Sequence, residues 1–107
     1  MSCLPTHGGV IVAACLSTKF SPGAPEVVLC GRGVRTTPIS AAFARRKASI
    51  PVFLKRAANQ WQYCGRFLVA QFFVSGARFE SFIAGSGRSV ASVSYVVILE
   101  PTATVDP

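Results

Sequence analysis

Apolar residues fall in short runs along this chain, alternating or continuous, broken by glycine, proline and serine. Such runs predict strands more than helices. Val10–Ser17 reads as a first strand buried on both faces, and Ser21-Pro22-Gly23-Ala24-Pro25 as the turn after it. Glu26–Cys30 reads as a second strand, followed by a flexible basic loop, Gly31–Arg35. Thr37 as N-cap and Pro38 at the first helical position then predict a helix of about ten residues. Its inward face would be Ile39, Ala42 and Phe43, with Arg45, Arg46 and Lys47 in the last turn, where cations suit the helix dipole. Pro51 closes it.

The pattern is strongest over Ile50–Val74, which reads as a β-hairpin. Val52–Arg56 is a short apolar run ending in two cations, Ala57–Gln60 is the connection, and Trp61–Val74 is a long return strand. That strand carries Trp61, Tyr63, Phe67, Phe72 and Phe73, residue types that fit a pleated, half-buried surface. Gly65 interrupts the aromatics and marks a bulge or bend, from which the strand would serve two sheet edges. Ser75–Ser89 is mixed: Gly76, Gly85 and Gly87 predict loops, and Phe79, Phe82 and Ile83 a short strand or a pinned turn. Val90–Glu100 is a last strand with Val93, Tyr95, Val97 and Leu99 on one face, ended by Pro101.

Together these elements predict an α+β fold, mainly β: five or six strands in a small antiparallel barrel or pseudo-barrel with one short helix. Closure would remove exposed edges; an open α+β sheet is the alternative. The 107 residues make one domain, with residues 1–8 an arm and 102–107 a tail.

Charge changes the picture. Eleven Lys and Arg oppose four acids, a net charge of +7. Between Gly31 and Arg88 the single acid is Glu80. Arg outnumbers Lys, and its planar fork suits phosphate. Either this is a basic, solvated face or the partner is a polyanion, with nucleic acid the leading form. No apolar run approaches the ~20 residues needed to span a bilayer, and no leader pattern opens the chain, so an intracellular protein, cytoplasmic or nuclear, is expected, without a membrane partner.

Chemistry has little to work with. The acids Glu26, Glu80, Glu100 and Asp106 are scattered, His7 is the sole histidine, and neither a nucleophile elbow nor a Walker loop is present. An enzyme is not expected, nor a cofactor. Cys3, Cys15, Cys30 and Cys64 form no Cys-x-x-Cys pair, and Cys3-x-x-x-His7 is a weak metal pattern, so no metal is expected. Reduced core thiols are the leading reading, with a disulfide or scattered ligands as alternatives.

Three stretches remain as candidate binding elements. Gly31–Arg35 and Gly85–Ser89 could hold anions on backbone N–H groups, or be plain turns. Trp61 and Tyr63 share one strand face, with Lys55 and Arg56 across the turn. They could stack on bases while the cations hold phosphates, or Trp61 could cap a barrel end with Tyr63 packed inside.

At this hairpin the chain resembles the SRA-like and PUA-like domains of modification-dependent restriction systems. Val52, Leu54 and Arg56 match the first half of their strand pattern, and Tyr63, Gly65, Phe67 and Val69 the second; the helix Pro38–Lys47 fits the same layout. The resemblance covers about a third of the chain. It implies a pseudo-barrel that reads DNA, in some members by flipping a modified base into an aromatic pocket. The usual Tyr-Asp-Gly core reads Tyr63-Cys64-Gly65 here, so the acid that often faces the base is missing.

The expected function is therefore a nucleic-acid-binding module, DNA ahead of RNA. Arg32, Arg35, Arg45, Arg46, Lys47, Lys55, Arg56 and Arg88 would hold phosphates, and Trp61 and Tyr63 would line a base pocket. If about five phosphates are met, log K should fall with log salt at a slope near −4 to −5. The alternative is a non-catalytic interaction subunit whose basic surface meets an acidic protein partner, or a homodimer.

Overall fold

A computed structural model describes residues 4–8 and 10–102. Cys3, Asp106 and the tail from 103 to 107 lie outside the described residues. Among those described, seven strands and two helices form an α+β fold that is mainly sheet. The strands are β1 (Thr6–His7), β2 (Val10–Ile11), β3 (Ala14–Leu16), β4 (Val27–Gly31), β5 (Ile50–Ala57), β6 (Gln60–Phe73) and β7 (Val93–Pro101). The helices are α1 (Thr36–Ala44) and α2 (Gly76–Ile83), and a 3₁₀ turn, Val90–Ser92, precedes β7.

Five strands make the main sheet in the order β3-β5-β6-β7-β4. Its pairings are antiparallel except β3 with β5, which is parallel. Strands β3 and β4 are consecutive in the chain yet occupy opposite edges. Both contribute to one core cluster, Leu16 from β3 with Val28 and Cys30 from β4, together with Phe43, Ile50, Val52, Phe67, Val97 and Leu99. The sheet thus shares a core across its two edges but remains open, and the expected barrel closure is absent.

The edges are protected by other means. Strand β3 is three residues long. On β4, Leu29 N–H donates to the buried Ser21 Oγ at 3.0 Å, and Leu29 O accepts from Arg88 Nη1 at 2.8 Å. Side chains thus occupy the hydrogen-bonding groups that closure would have paired.

Of four register shifts in the main sheet, one lies at the hairpin tip between Lys55 and Ala57, and the other three set which side chains face which way. On β6, Cys64 is extra between the pairs Val52↔Gly65 and Phe53↔Tyr63, and Gly65 takes φ 104°. Alanine or any larger residue would be strained at that φ, so the expected bend at Gly65 is present and has a backbone cause. Beyond it β6 does serve two neighbours: Gln60–Phe67 pair with β5 and Phe67–Phe73 with β7. A second bulge, at Ala70, turns Phe72 towards Tyr95 and Phe73 towards Phe82 of α2. The third lies across Cys30/Gly31, where Gly31 pairs with Val93 and Ser94 is skipped. Ser94 Oγ donates to Gly31 O at 2.6 Å there. This bulge separates Val93 from Tyr95, Val97 and Leu99: Val93 packs with Leu29, Phe79, Ile83 and Val96 in a second cluster, under α2.

Three sequence expectations change. The arm is partly folded, since Thr6–His7 pairs with Val10–Ile11 and Val12 N–H donates to Pro5 O at 3.0 Å. The first strand accordingly divides into β2 and β3. Helix α1 begins at Thr36 with Arg35 as its N-cap, because Thr37 N–H donates to Gly33 O and adds a turn. Pro38 still sits in the first turn, where a missing N–H costs nothing. The buried face is Ser40, Phe43 and Ala44, not Ile39 and Ala42. Ser40 tolerates burial because its Oγ donates to Thr36 O at 2.9 Å. Arg45 is the C-cap, and Arg46 and Lys47 lie beyond the helix.

The mixed stretch Ser75–Ser89 contains α2, whose Phe79 and Ile83 are buried four residues apart on one face. Among the described residues no helix is long and apolar enough to cross a membrane.

Candidate nucleic-acid interface

The hairpin β5–β6 turns through Ala58 and Asn59, with Asn59 at φ 59°, a conformation asparagine accepts more readily than most residues. Val52 and Leu54 point into the core, so their neighbours Phe53 and Lys55 take the opposite face of the sheet. Pairing places Tyr63 opposite Phe53 and Trp61 opposite Lys55. The two aromatic residues therefore do share a face. The Phe53 and Tyr63 ring centres are 5.3 Å apart and the planes tilted by 46°. Trp61 is 43% exposed and Tyr63 49%. Neither lies in the core, and neither caps a closed barrel.

This face is an open platform, not a pocket. A cavity of about 360 Å³ lies beside α1 and β4, and one of about 250 Å³ beside α2; neither is lined by Trp61 or Tyr63. Phe53 is the residue the sequence reading missed. Alternation with buried Val52 and Leu54 was the signal that placed it beside Tyr63. The platform stays bare because α2 packs further along, over Phe73, Val93 and Val96.

The cations fall into three groups. Three of the expected phosphate holders are engaged by the fold. Arg88 donates to Leu29 O at 2.8 Å, Ser92 O at 3.2 Å and Phe20 O at 3.4 Å, tying three segments together. Arg32 Nη2 donates to Val93 O at 3.0 Å. Arg46 Nη1 donates to Ile11 O at 2.7 Å and Nη2 to Ser49 O at 3.4 Å, while its Nε is buried without a partner among the described residues. The loops Gly31–Arg35 and Gly85–Ser89 do come together here, since Arg32 and Arg88 reach the adjacent carbonyls of Val93 and Ser92. They meet as structural ties, with the guanidinium groups on protein carbonyls.

Arg45 is a third case. Its Nη1 donates to the Tyr95 hydroxyl at 3.1 Å, and its guanidinium carbon stands 5.5 Å from the Phe72 ring centre and 5.8 Å from that of Tyr95. It is exposed but held in a cation–π arrangement. Arg35 and Lys47 are exposed at opposite ends of α1. Lys55 and Arg56 belong to the hairpin itself: Lys55 stands across from Trp61, and Arg56 Nε donates to Gln62 Oε1. The structure therefore brings Lys55, Trp61 and Tyr63 together on one face, turns Arg56 towards Gln62 on the other, and distributes the remaining expected cations elsewhere.

Cys30 is buried and its thiol is pushed up to about 12 by that burial, against the pull of a hydrogen bond with Ser40 and of the Arg88 charge. Such a thiol stays protonated at neutral pH. Among the described residues Cys30 and Cys64 are in no disulfide, and no three His, Cys, Asp or Glu side chains gather as metal ligands.

No protein-family model, curated protein or solved structure matches this chain.

Proposed function

We propose that this protein binds single-stranded nucleic acid on the outer face of the β5–β6 hairpin. The observation that carries the reading is the exposed pair Trp61 and Tyr63, two residues apart on one face, with Lys55 opposite Trp61. Residues at this separation along a strand lie about 6.5–7 Å apart, and the chain of a single strand can stretch to set successive bases on such rings. Phe53 backs Tyr63 from the neighbouring strand. Lys55 lies where a phosphate chain would pass, with Arg56 at the hairpin tip behind it.

The DNA-reading role implied by the resemblance to SRA-like and PUA-like domains enters in altered form. Bases stack on an open platform, in place of one flipped base in a closed pocket. Stacking on a flat ring reads little sequence, so weak base preference follows. DNA remains the first substrate to try. RNA is the comparison, because a stacking surface makes no demand on the 2′-hydroxyl.

The test is alanine substitution with an oligonucleotide titration. Trp61→Ala and Tyr63→Ala should each weaken binding by about 1–3 kcal/mol, with stability little changed. Unaltered affinity in both variants would remove the platform from consideration.

A further inference from the structure

The 360 Å³ cavity lies far along the chain from the hairpin elements, between β4, the β3 edge and the first half of α1. It occupies the gap that barrel closure would have filled. Leu16 from β3, Val28 and Cys30 from β4, Ile39 from α1 and Leu4 from the N-terminal segment form its walls. These are apolar side chains, and the volume is that of a small-ligand site.

One cation stands at the lining of this cavity. Arg35, the N-cap of α1, is exposed, and its guanidinium has no hydrogen-bond partner among the described residues. It differs in this from Arg32 and Arg88 nearby, whose guanidinium groups are held by backbone carbonyls. Arg35 also stands at the positive end of α1, where negative charge is favoured. Among the described residues no acid lines the cavity.

We propose that this cavity binds an amphipathic small molecule with a single carboxylate, its apolar body between Leu16, Val28 and Ile39 and its carboxylate on Arg35. Apolar walls select a hydrocarbon or aryl body. One available guanidinium selects one anionic head, which it can meet in bidentate fashion. The occupant needs no rearrangement of the sheet, since the gap between the β3 and β4 edges is already open.

The test uses decanoate as probe, with decanol and decyltrimethylammonium as matched comparisons, followed by amide and methyl NMR shifts of the whole protein. Decanoate should saturate, with shifts concentrated on Leu16, Val28, Gly31, Ile39 and Ser40 and none at Trp61 or Tyr63. Decanol should bind about tenfold or more weakly and the ammonium compound more weakly still, since a charged hydrogen bond is lost and then reversed in sign. Arg35→Gln should weaken decanoate by a similar factor and leave decanol unchanged. Ile39→Trp, at an exposed helix position, should fill the cavity and abolish both, while the far-UV spectrum stays native. Equal binding of the three probes, unchanged binding in Ile39→Trp, or shifts spread over the hairpin would each overturn the assignment. Because the hairpin does not take part, loss of nucleic-acid binding in Trp61→Ala has no bearing on this result.

Discussion

Replacing Arg88 by methionine tests the division of the cations into structural and available groups. Methionine keeps much of the aliphatic bulk and removes the guanidinium. The wild-type group donates to Leu29 O, Ser92 O and Phe20 O, from β4, the turn before β7 and the loop after β3. A hydrogen bond involving a charged group contributes roughly 1.5–3 kcal/mol net. The 2.8 Å bond to Leu29 O is the best formed, and the 3.4 Å contact to Phe20 O the weakest. Bonds from one group do not add fully, and Arg88 is only half-buried, so we expect a loss of about 2–4 kcal/mol. For a domain of this size that corresponds to a fall in Tm on the order of 10–25 °C. Urea unfolding followed by far-UV circular dichroism gives the free energy directly. Arg88→Lys should recover only part of it, because an ammonium lacks the fork that spans several carbonyls. Arg56→Ala, at an exposed position, should change stability by no more than about 0.5 kcal/mol. If Arg88→Met were as benign as Arg56→Ala, the claim that Arg88 is withdrawn from ligand binding would fail.

Cys30 makes stability depend on alkaline pH. Its thiol moves from an ordinary 9.0 up to about 12 in the folded protein. The unfolded chain therefore loses this proton first: the contribution is full below pH 9 and disappears as pH rises towards 12. Stability should fall by up to about 1.4 kcal/mol per pH unit in that window from this group, and Cys30→Ala should remove that share when urea midpoints are compared at about pH 8 and about pH 10.5. Gly65→Ala should cost about 1–3 kcal/mol in the same unfolding assay. A Cβ there meets nothing within 4 Å, so the effect would come from the φ of 104° alone, and a neutral substitution would contradict the bend.

The hairpin was legible because its signals are local. Alternation in Val52–Arg56, the aromatic run of β6 and the glycine at 65 each act within a few residues. What the sequence left hidden depends on distant partners. The helix α2 was obscured by glycines on either side, although Phe79, Phe82 and Ile83 have helical spacing. Their weight was lost because their partners, Val93, Val96 and Phe73, lie on other strands. The position of Val93 was misread because the bulge that displaces it is set by Gly31 on β4. The open sheet stood only as the alternative, because what covers its edge is remote: Ser21 and Arg88 reach Leu29 from eight and fifty-nine residues away. Charge was the most deceptive signal. A run of arginines looks uniform in sequence, yet carbonyls from Ile11, Leu29, Ser92 and Val93 hold three of them. Only the packed structure separates these from Lys55 and Arg56.

That separation sharpens the salt dependence. Five phosphate contacts would require cations away from the hairpin, such as Arg35 and Lys47 at the ends of α1, whereas the hairpin offers Lys55, Arg56 at its tip and at most a neighbour or two. With two to three phosphates on a single strand, log K should fall with log salt at a slope near −1.4 to −2. Trp61 is the sole tryptophan of the chain, so its emission reports on the platform directly. The decisive measurement is the quenching of that emission by an oligothymidylate, titrated at several salt concentrations. The account predicts saturable quenching with a slope in that range. Quenching that never saturates, or binding that leaves Trp61 emission untouched, would contradict it.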